Sequence, residues 1–168
     1  MTGKSHLALG VATATSICYI SQNLSEIEGV CFVAGTALGA IFPDIDTKQS
    51  KISNRYPMIS FITRLFVGHR GIIHTPVCLL ALVIAFVVSR LIIPIPIPFF
   101  IGFVVGYLLH LMQDTFTRRG IRWLYPLSQK YYSIIGIRNN GLGELVFSLA
   151  IYFAIMFLYI FFNPQFMR

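Results

Sequence analysis

The sequence predicts an all-α integral membrane protein, a helical bundle of about five apolar helices with interfacial helices on the cytoplasmic side. Three observations predict it. The 168-residue chain is 56% hydrophobic and only 11% charged, with a mean hydropathy of +0.75, whereas roughly a quarter of residues are charged in soluble domains. Its apolar residues gather in five runs, at 7–20, 30–42, 72–93, 99–112 and 145–162. Its basic residues sit between those runs rather than in one basic helix, so the net charge of +7 reflects membrane topology and not a nucleic-acid partner. No long polar block separates the runs, and residues 1–168 read as a single membrane-embedded domain.

The run at 7–20 follows Lys4 and resembles the apolar core of a signal peptide, with Ala12-Thr13-Ala14 as a small-residue stretch. Cleavage there would discard His6, and the run is expected to stay as the first helix. At 1.5 Å per residue the third and fifth runs are long enough for the roughly 30 Å hydrocarbon core. The first, second and fourth span only by recruiting flanking polar residues; alternatively the first two form a buried or re-entrant pair. Gly35 with Gly39, and Gly102 with Gly106, have the spacing that lets membrane helices approach closely, or reflect ordinary glycine use in such helices. Pro94-Ile95-Pro96-Ile97-Pro98 removes three backbone donors and cannot continue a helix, so the third and fourth helices form a hairpin.

Between the second and third runs, Met58, Ile59, Phe61, Ile62, Leu65 and Phe66 follow Pro57 at helical spacing, with Ser60, Thr63 and Arg64 opposite. That is the pattern of a helix lying in the membrane plane, or of a core helix in a small cytoplasmic cap. Trp123, Tyr125, Tyr131 and Tyr132 suit the headgroup level in the same way. Cys18, Cys31 and Cys78 all lie inside apolar runs and are expected to be buried thiols without a disulfide framework.

If every run spans, eleven of the thirteen basic residues fall on one side of the membrane: Lys4, those of residues 43–71, and those of residues 113–144. Only Arg90 and Arg168 fall opposite, where the first loop carries Glu26 and Glu28. The bias of basic residues toward the cytoplasm makes the rich side cytoplasmic, with the amino terminus inside and the carboxyl terminus outside.

All four histidines lie on that same side. His6 precedes the first helix, Asp44 and Asp46 follow the second, His69 and His74 bracket the start of the third, His110 and Asp114 end the fourth, and Glu144 opens the fifth. Each piece alone has a bland explanation. His110 and Asp114, four apart on a helix, project from one face about 40° apart, but such pairs are more often surface hydrogen bonds than ligands. Asp44-Ile45-Asp46, read as an extended segment after Pro43, places two carboxylates on one side, for a metal or for capping a turn. His69 and His74 each suit an interface. Their coincidence at five helix ends on one side favours a metal site, because ionisable groups at membrane depth are costly unless paired or ligated. The nitrogen and oxygen mix fits one or two divalent ions, zinc first and manganese or iron next, over magnesium or calcium. A two-ion centre is suited to phosphoryl displacement. Arg70 would hold a phosphate oxygen or act as a charged anchor; Glu144 would be a further ligand, a general base or a carboxylate favouring its helix dipole.

Gly3-Lys4-Ser5-His6, Leu38-Gly39-Ala40-Ile41-Phe42-Pro43-Asp44-Ile45-Asp46, Gly68-His69-Arg70-Gly71-Ile72-Ile73-His74-Thr75 and Gly106-Tyr107-Leu108-Leu109-His110-Leu111-Met112-Gln113-Asp114 together resemble the YdjM-like family of inner-membrane, metal-dependent hydrolases. The resemblance runs from His6 to about Glu144. It implies His6, Asp44, Asp46, His69, His74, His110 and Asp114 as metal ligands. More distantly, an amino-terminal His, a loop Asp and a helical His-x-x-x-Asp resemble zinc-dependent phospholipase C and P1-type nucleases. The chain lacks their second helical His-x-x-x-Glu pair, which argues against a three-metal centre. The expectation is a hydrolase of a phosphoester, such as a lipid headgroup, acting at the cytoplasmic membrane interface, with membrane lipid as its partner. The alternative is a non-enzymatic metal-binding membrane protein, a sensor or a transporter.

Overall fold

Each apolar run forms a helix in the computed structural model, which describes residues 1–21, 24–46 and 72–162, the side chains of Ile45 and Asp46 excepted. The helices are α1 (Gly3–Ser21), α2 (Glu26–Ile41), α3 (Pro76–Ser89), α4 (Ile97–Thr115) and α5 (Leu142–Phe161), with a 3-10 turn over Phe42–Asp46. Local sequence sets the starts. The Ser25 side chain accepts from the Glu28 N–H, and the Glu28 carboxylate accepts from the Ser25 N–H at 3.0 Å, a reciprocal box that satisfies two otherwise orphaned donors of α2. Thr75 caps α3 by accepting from the Cys78 N–H, and Pro76 follows in the first turn, where its missing N–H costs nothing.

The lengths differ from the sequence expectation. Glu26–Asp44, Ile97–Thr115 and Leu142–Phe161 are long and apolar enough to cross a membrane. The second and fourth runs reach that length by taking in flanking residues. The third does not: α3 has 14 residues, about 21 Å at 1.5 Å per residue. The cause is local, because residues 72–75 are used in the turn and cap that precede α3, and residues 90–96 in the turn that leads to Pro98. The proline-rich connection does return the chain as a hairpin, with the Phe86 ring 5.0 Å from Phe100 and 5.3 Å from Phe103.

Among the described helices, α2 and α4 form the most extensive contact, and both glycine pairs lie in it. A Cβ on Gly35 or Gly39 would collide with the carbonyls of Phe99 and Phe103. One on Gly102 or Gly106 would collide with those of Phe32 and Thr36. Each helix therefore presents hydrogens to the other's backbone, and the two axes close to a distance that side chains would forbid. Phe103, Tyr107 and Leu111 of α4, with Leu79 of α3 and Ile121, form the buried core beside this crossing. The Tyr107 hydroxyl donates to the Ile73 carbonyl and ties the turn before α3 to α4.

Outward surfaces are apolar. On α5 only Glu144 is buried, and Val146, Phe153 and Phe157 are exposed, as helices facing lipid require. Residues 116–141 contain no helix; isolated bridges pair Thr117 with Ile137 and Ile121 with Tyr132. The in-plane helix expected behind Pro57 falls outside the described residues. Cys18, Cys31 and Cys78 are free and half-buried rather than buried.

Candidate metal centre

Helix termini converge on one end of the bundle. Residues 110, 113 and 114 of α4 share a face by helical periodicity, and His110 and Gln113 are buried there. The α2–α4 crossing brings the end of α2 against that face. The last carbonyls of any helix lack intrahelical partners, and Ala40 O, in the last turn of α2, accepts the Nδ1 proton of His110 at 2.7 Å. His6, in the first turns of α1, is stacked on His110 with ring centroids 3.7 Å apart and planes inclined by 20°. Its Nδ1 donates to Gln113 Oε1 at 2.9 Å.

Those two bonds decide the chemistry of the other ring nitrogens. With its proton on Nδ1, a neutral imidazole carries its lone pair on Nε2. Both Nε2 atoms are buried and make no hydrogen bond of normal geometry among the described residues. Each instead faces carboxylate oxygen: His6 Nε2 is 3.2 Å from Asp114 Oδ1, and His110 Nε2 is 3.6 Å from Asp114 Oδ2 and 3.9 Å from Asp44 Oδ1. His74, in the turn before α3, places Nε2 3.8 Å from Asp44 Oδ1 and 4.0 Å from Asp114 Oδ2. The Met1 amino group also contacts Asp114 Oδ1.

Two overlapping triads result, His6 with Asp44 and His110, and His74 with His110 and Asp114, the donor atoms of each lying within 4.8 Å of one another. Donors on a tetrahedral zinc at about 2.0–2.1 Å stand about 3.3 Å apart, so small side-chain adjustments bring either triad onto one ion. Orphaned, buried lone pairs opposite carboxylates, each imidazole held by a carbonyl on its far nitrogen, fit the donor set and outer shell of a metal site. His110 belongs to both triads, and one lone pair serves one ion. The described residues thus form one three-donor site at a time.

Of the residues expected at this end, His6, Asp44, His74, His110 and Asp114 are brought together. His69, Arg70 and the Asp46 side chain lie outside the described residues. The backbone at Asp44 is a 3-10 turn rather than the extended segment expected, because Pro43 fixes a φ compatible with helical turns. Glu144 stands apart from both triads. It is 3% exposed, and it accepts from Thr2 N at 2.6 Å, Ser5 Oγ at 2.7 Å and Asn140 N at 2.6 Å. Gln113 is the site residue that sequence reading overlooked. Its position three after His110 and one before Asp114, on the same helical face, was the available signal.

The chain is 29% identical over 144 residues to YvsG of Bacillus subtilis (strain 168), a protein described as uncharacterized, and the match covers 86% of this chain and 85% of that protein. No solved structure matches the chain. The family model described as YdjM inner membrane protein matches residues 1–166. With apolar helices of spanning length and a histidine–aspartate cluster at one end of the bundle, the chain belongs to the YdjM inner membrane protein family.

Proposed function

We propose that this cluster is a divalent-metal centre, zinc first and manganese or iron next, and that the protein hydrolyses a phosphoester carried by a membrane lipid headgroup. The observation that carries the reading is the pair of buried Nε2 lone pairs on His6 and His110, each fixed by a carbonyl acceptor and facing carboxylates. When bound, such an ion supplies Lewis acidity toward a water and a phosphoryl oxygen. The chain's own residues do the rest. Gln113 and Ala40 hold the imidazoles in the ligating tautomer, and His74 and the carboxylates of Asp44 and Asp114 complete the donor set of one ion; a second ion would need Asp46 and His69 as further ligands. Arg70 grips a phosphate oxygen through its planar fork. Lys4 and the basic residues of 113–144 share this end of the bundle, and the bias of basic residues toward the cytoplasm supports a cytoplasmic amino terminus and cluster with the carboxyl terminus outside.

Transport is disfavoured by composition. Residues 7–21, 29–43, 75–89, 91–109 and 145–162 contain no ionisable acid, base or histidine, so no polar relay leads from the cluster across the bilayer. The test uses purified protein in detergent or nanodiscs. Elemental analysis is expected to find near-stoichiometric zinc or manganese, and His110→Ala and Asp114→Ala to lose both the metal and phosphodiester hydrolysis. Unchanged metal content in both variants would overturn the ligand assignment. Bound metal without hydrolysis of any phospholipid would favour a sensor.

A further inference from the structure

We infer that residues 116–141 form a docking surface for anionic phospholipid headgroups, which brings a phosphate-bearing lipid to the edge of the histidine–aspartate cluster. The segment leaves α4 two residues beyond Asp114 and enters α5 three residues before Glu144. Its first end therefore starts at the cluster, and its second is tied through Glu144 to Thr2 and Ser5, at the start of the helix that carries His6. It holds its shape without a helix. Trp123 Nε1 donates to Thr115 Oγ1 at 2.9 Å, Ile134 N donates to Thr115 O at 3.0 Å, and Ile137 N donates to Phe116 O at 2.9 Å. Arg122 is used internally, its guanidinium lying over the Tyr125 and Tyr131 rings at 4.9 and 5.3 Å and donating to Gln129 Oε1 at 2.8 Å.

What this fixed segment turns outward is unusual for a water-facing loop. Leu127 is 92% exposed, and Leu124, Ile134 and Ile135 are more than half exposed. Apolar side chains held out on a connection between membrane helices fit the acyl boundary of the interface. Interspersed with them, Arg118, Arg119, Lys130 and Arg138 are exposed. Between residues 116 and 143 there are five basic residues and no acidic one; Arg118 Nε donates to Gly136 O at 3.3 Å and Lys130 Nζ lies 5.6 Å from the Tyr132 ring centre, but among the described residues none of those four cations is paired with a carboxylate. Exposed apolar contacts, tyrosines and cations without a carboxylate partner on one connection match a headgroup that bears a net negative phosphate. A neutral zwitterionic headgroup offers the same apolar contact but no net charge to these cations. The surface stands independently of the metal reading; that its lipid is also the substrate rests on that reading.

Trp123 is the only tryptophan in the chain and reports on this surface. The intact protein is placed in nanodiscs of brominated phosphatidylcholine, which quenches Trp123 emission. Unbrominated phosphatidylglycerol or unbrominated phosphatidylcholine then replaces a rising share of the lipid. Phosphatidylglycerol is expected to restore emission at a several-fold lower share, and the triple variant Arg118→Gln, Arg119→Gln, Lys130→Gln to erase the difference. Each cation near an anionic surface contributes at most on the order of fivefold. Arg138→Gln alone, a milder change, is expected to reduce the preference partially. Equal recovery by the two lipids in the native protein would overturn the inference, as would a preference that survives the triple variant. So would loss of the preference on adding millimolar inorganic phosphate at constant ionic strength, which would assign the cations to free phosphate. Metal content is measured on the same samples. A lipid preference in protein that binds no metal supports the surface and counts against the metal centre alone.

Discussion

The carbonyl of Ala40 accepts the Nδ1 proton of His110 at 2.7 Å, so the end of one membrane helix sets the tautomer of an imidazole on another. Neither residue is remarkable in isolation. Ala40 supplies a backbone acceptor left over where α2 ends, and Phe42 N–H already satisfies the Leu38 carbonyl of the same turn. The bond exists because Gly39 and Gly106 let the two backbones approach. Helix packing and site chemistry are thus one feature: the register of the α2–α4 crossing decides whether His110 presents a lone pair to the cluster.

Gly39→Leu or Gly106→Leu is therefore expected to damage the site from a distance. A side chain at either position meets backbone of the opposite helix, not a yielding side chain. The helices must separate or shift, and Ala40 O then leaves His110. Both variants are expected to lower thermal stability in detergent and to weaken metal binding together. Full metal affinity in a folded Gly106→Leu protein would show that the crossing does not position His110.

Gln113→Ala tests the outer shell. It removes the acceptor of His6 Nδ1–H without touching any atom of the two triads. Loss of such a partner typically weakens metal binding about 10–100-fold. A chelator competition on the purified variant measures this directly. Gln113→Glu keeps an acceptor oxygen at the same reach and is expected to restore much of the affinity, a rescue that a purely structural role for Gln113 would not give.

Protons compete with metal for the same lone pairs, so metal occupancy has a defined pH sense. Imidazoles titrate near 6.5 in the absence of perturbation, and a protonated ring cannot ligate. Metal affinity is expected to fall as pH drops and protons take the ligating nitrogens. An affinity that does not fall at all on acidification would count against histidine ligation.

The five described helices, the hairpin at the proline-rich connection and the convergence of His6, Asp44, His74, His110 and Asp114 were all legible in the sequence. They follow from patterns that act locally: apolar runs, helix spacing, and charge asymmetry between loops. What was not legible depends on where helices stop and on what meets across the bundle. Apolar residues continue on both sides of His74 and of Arg90, from Ile72 to Ile93, whereas α3 begins only at the Thr75 cap and Pro76, a signal present in the sequence but masked by the apolar residues around it. The 3-10 turn after Ile41 was hidden because proline breaks a long helix yet is compatible with a short turn. Gln113 was hidden because a glutamine declares no role until His6, more than a hundred residues away, is known to face it.

Glu144 divides a ligand role from a positioning role, and its partners favour the second. Its carboxylate gathers the Thr2 and Asn140 backbone N–H groups and the Ser5 hydroxyl, joining the first turn of α1 to the start of α5, next to His6 in the chain. Removing a buried acceptor leaves its donors unsatisfied, at a cost of about 1–3 kcal/mol. Glu144→Ala is thus expected to lower the melting temperature and to loosen His6. Glu144→Gln retains one carbonyl oxygen and is expected to fall between native and Ala in stability. If the carboxylate positions α1, metal bound per protein at saturating metal stays at the native value in both variants, while affinity falls in proportion to the stability lost. If it ligates or acts as a base, Glu144→Gln instead abolishes metal binding or hydrolysis at native-like stability, and a melting curve recorded beside a metal titration tells the two apart.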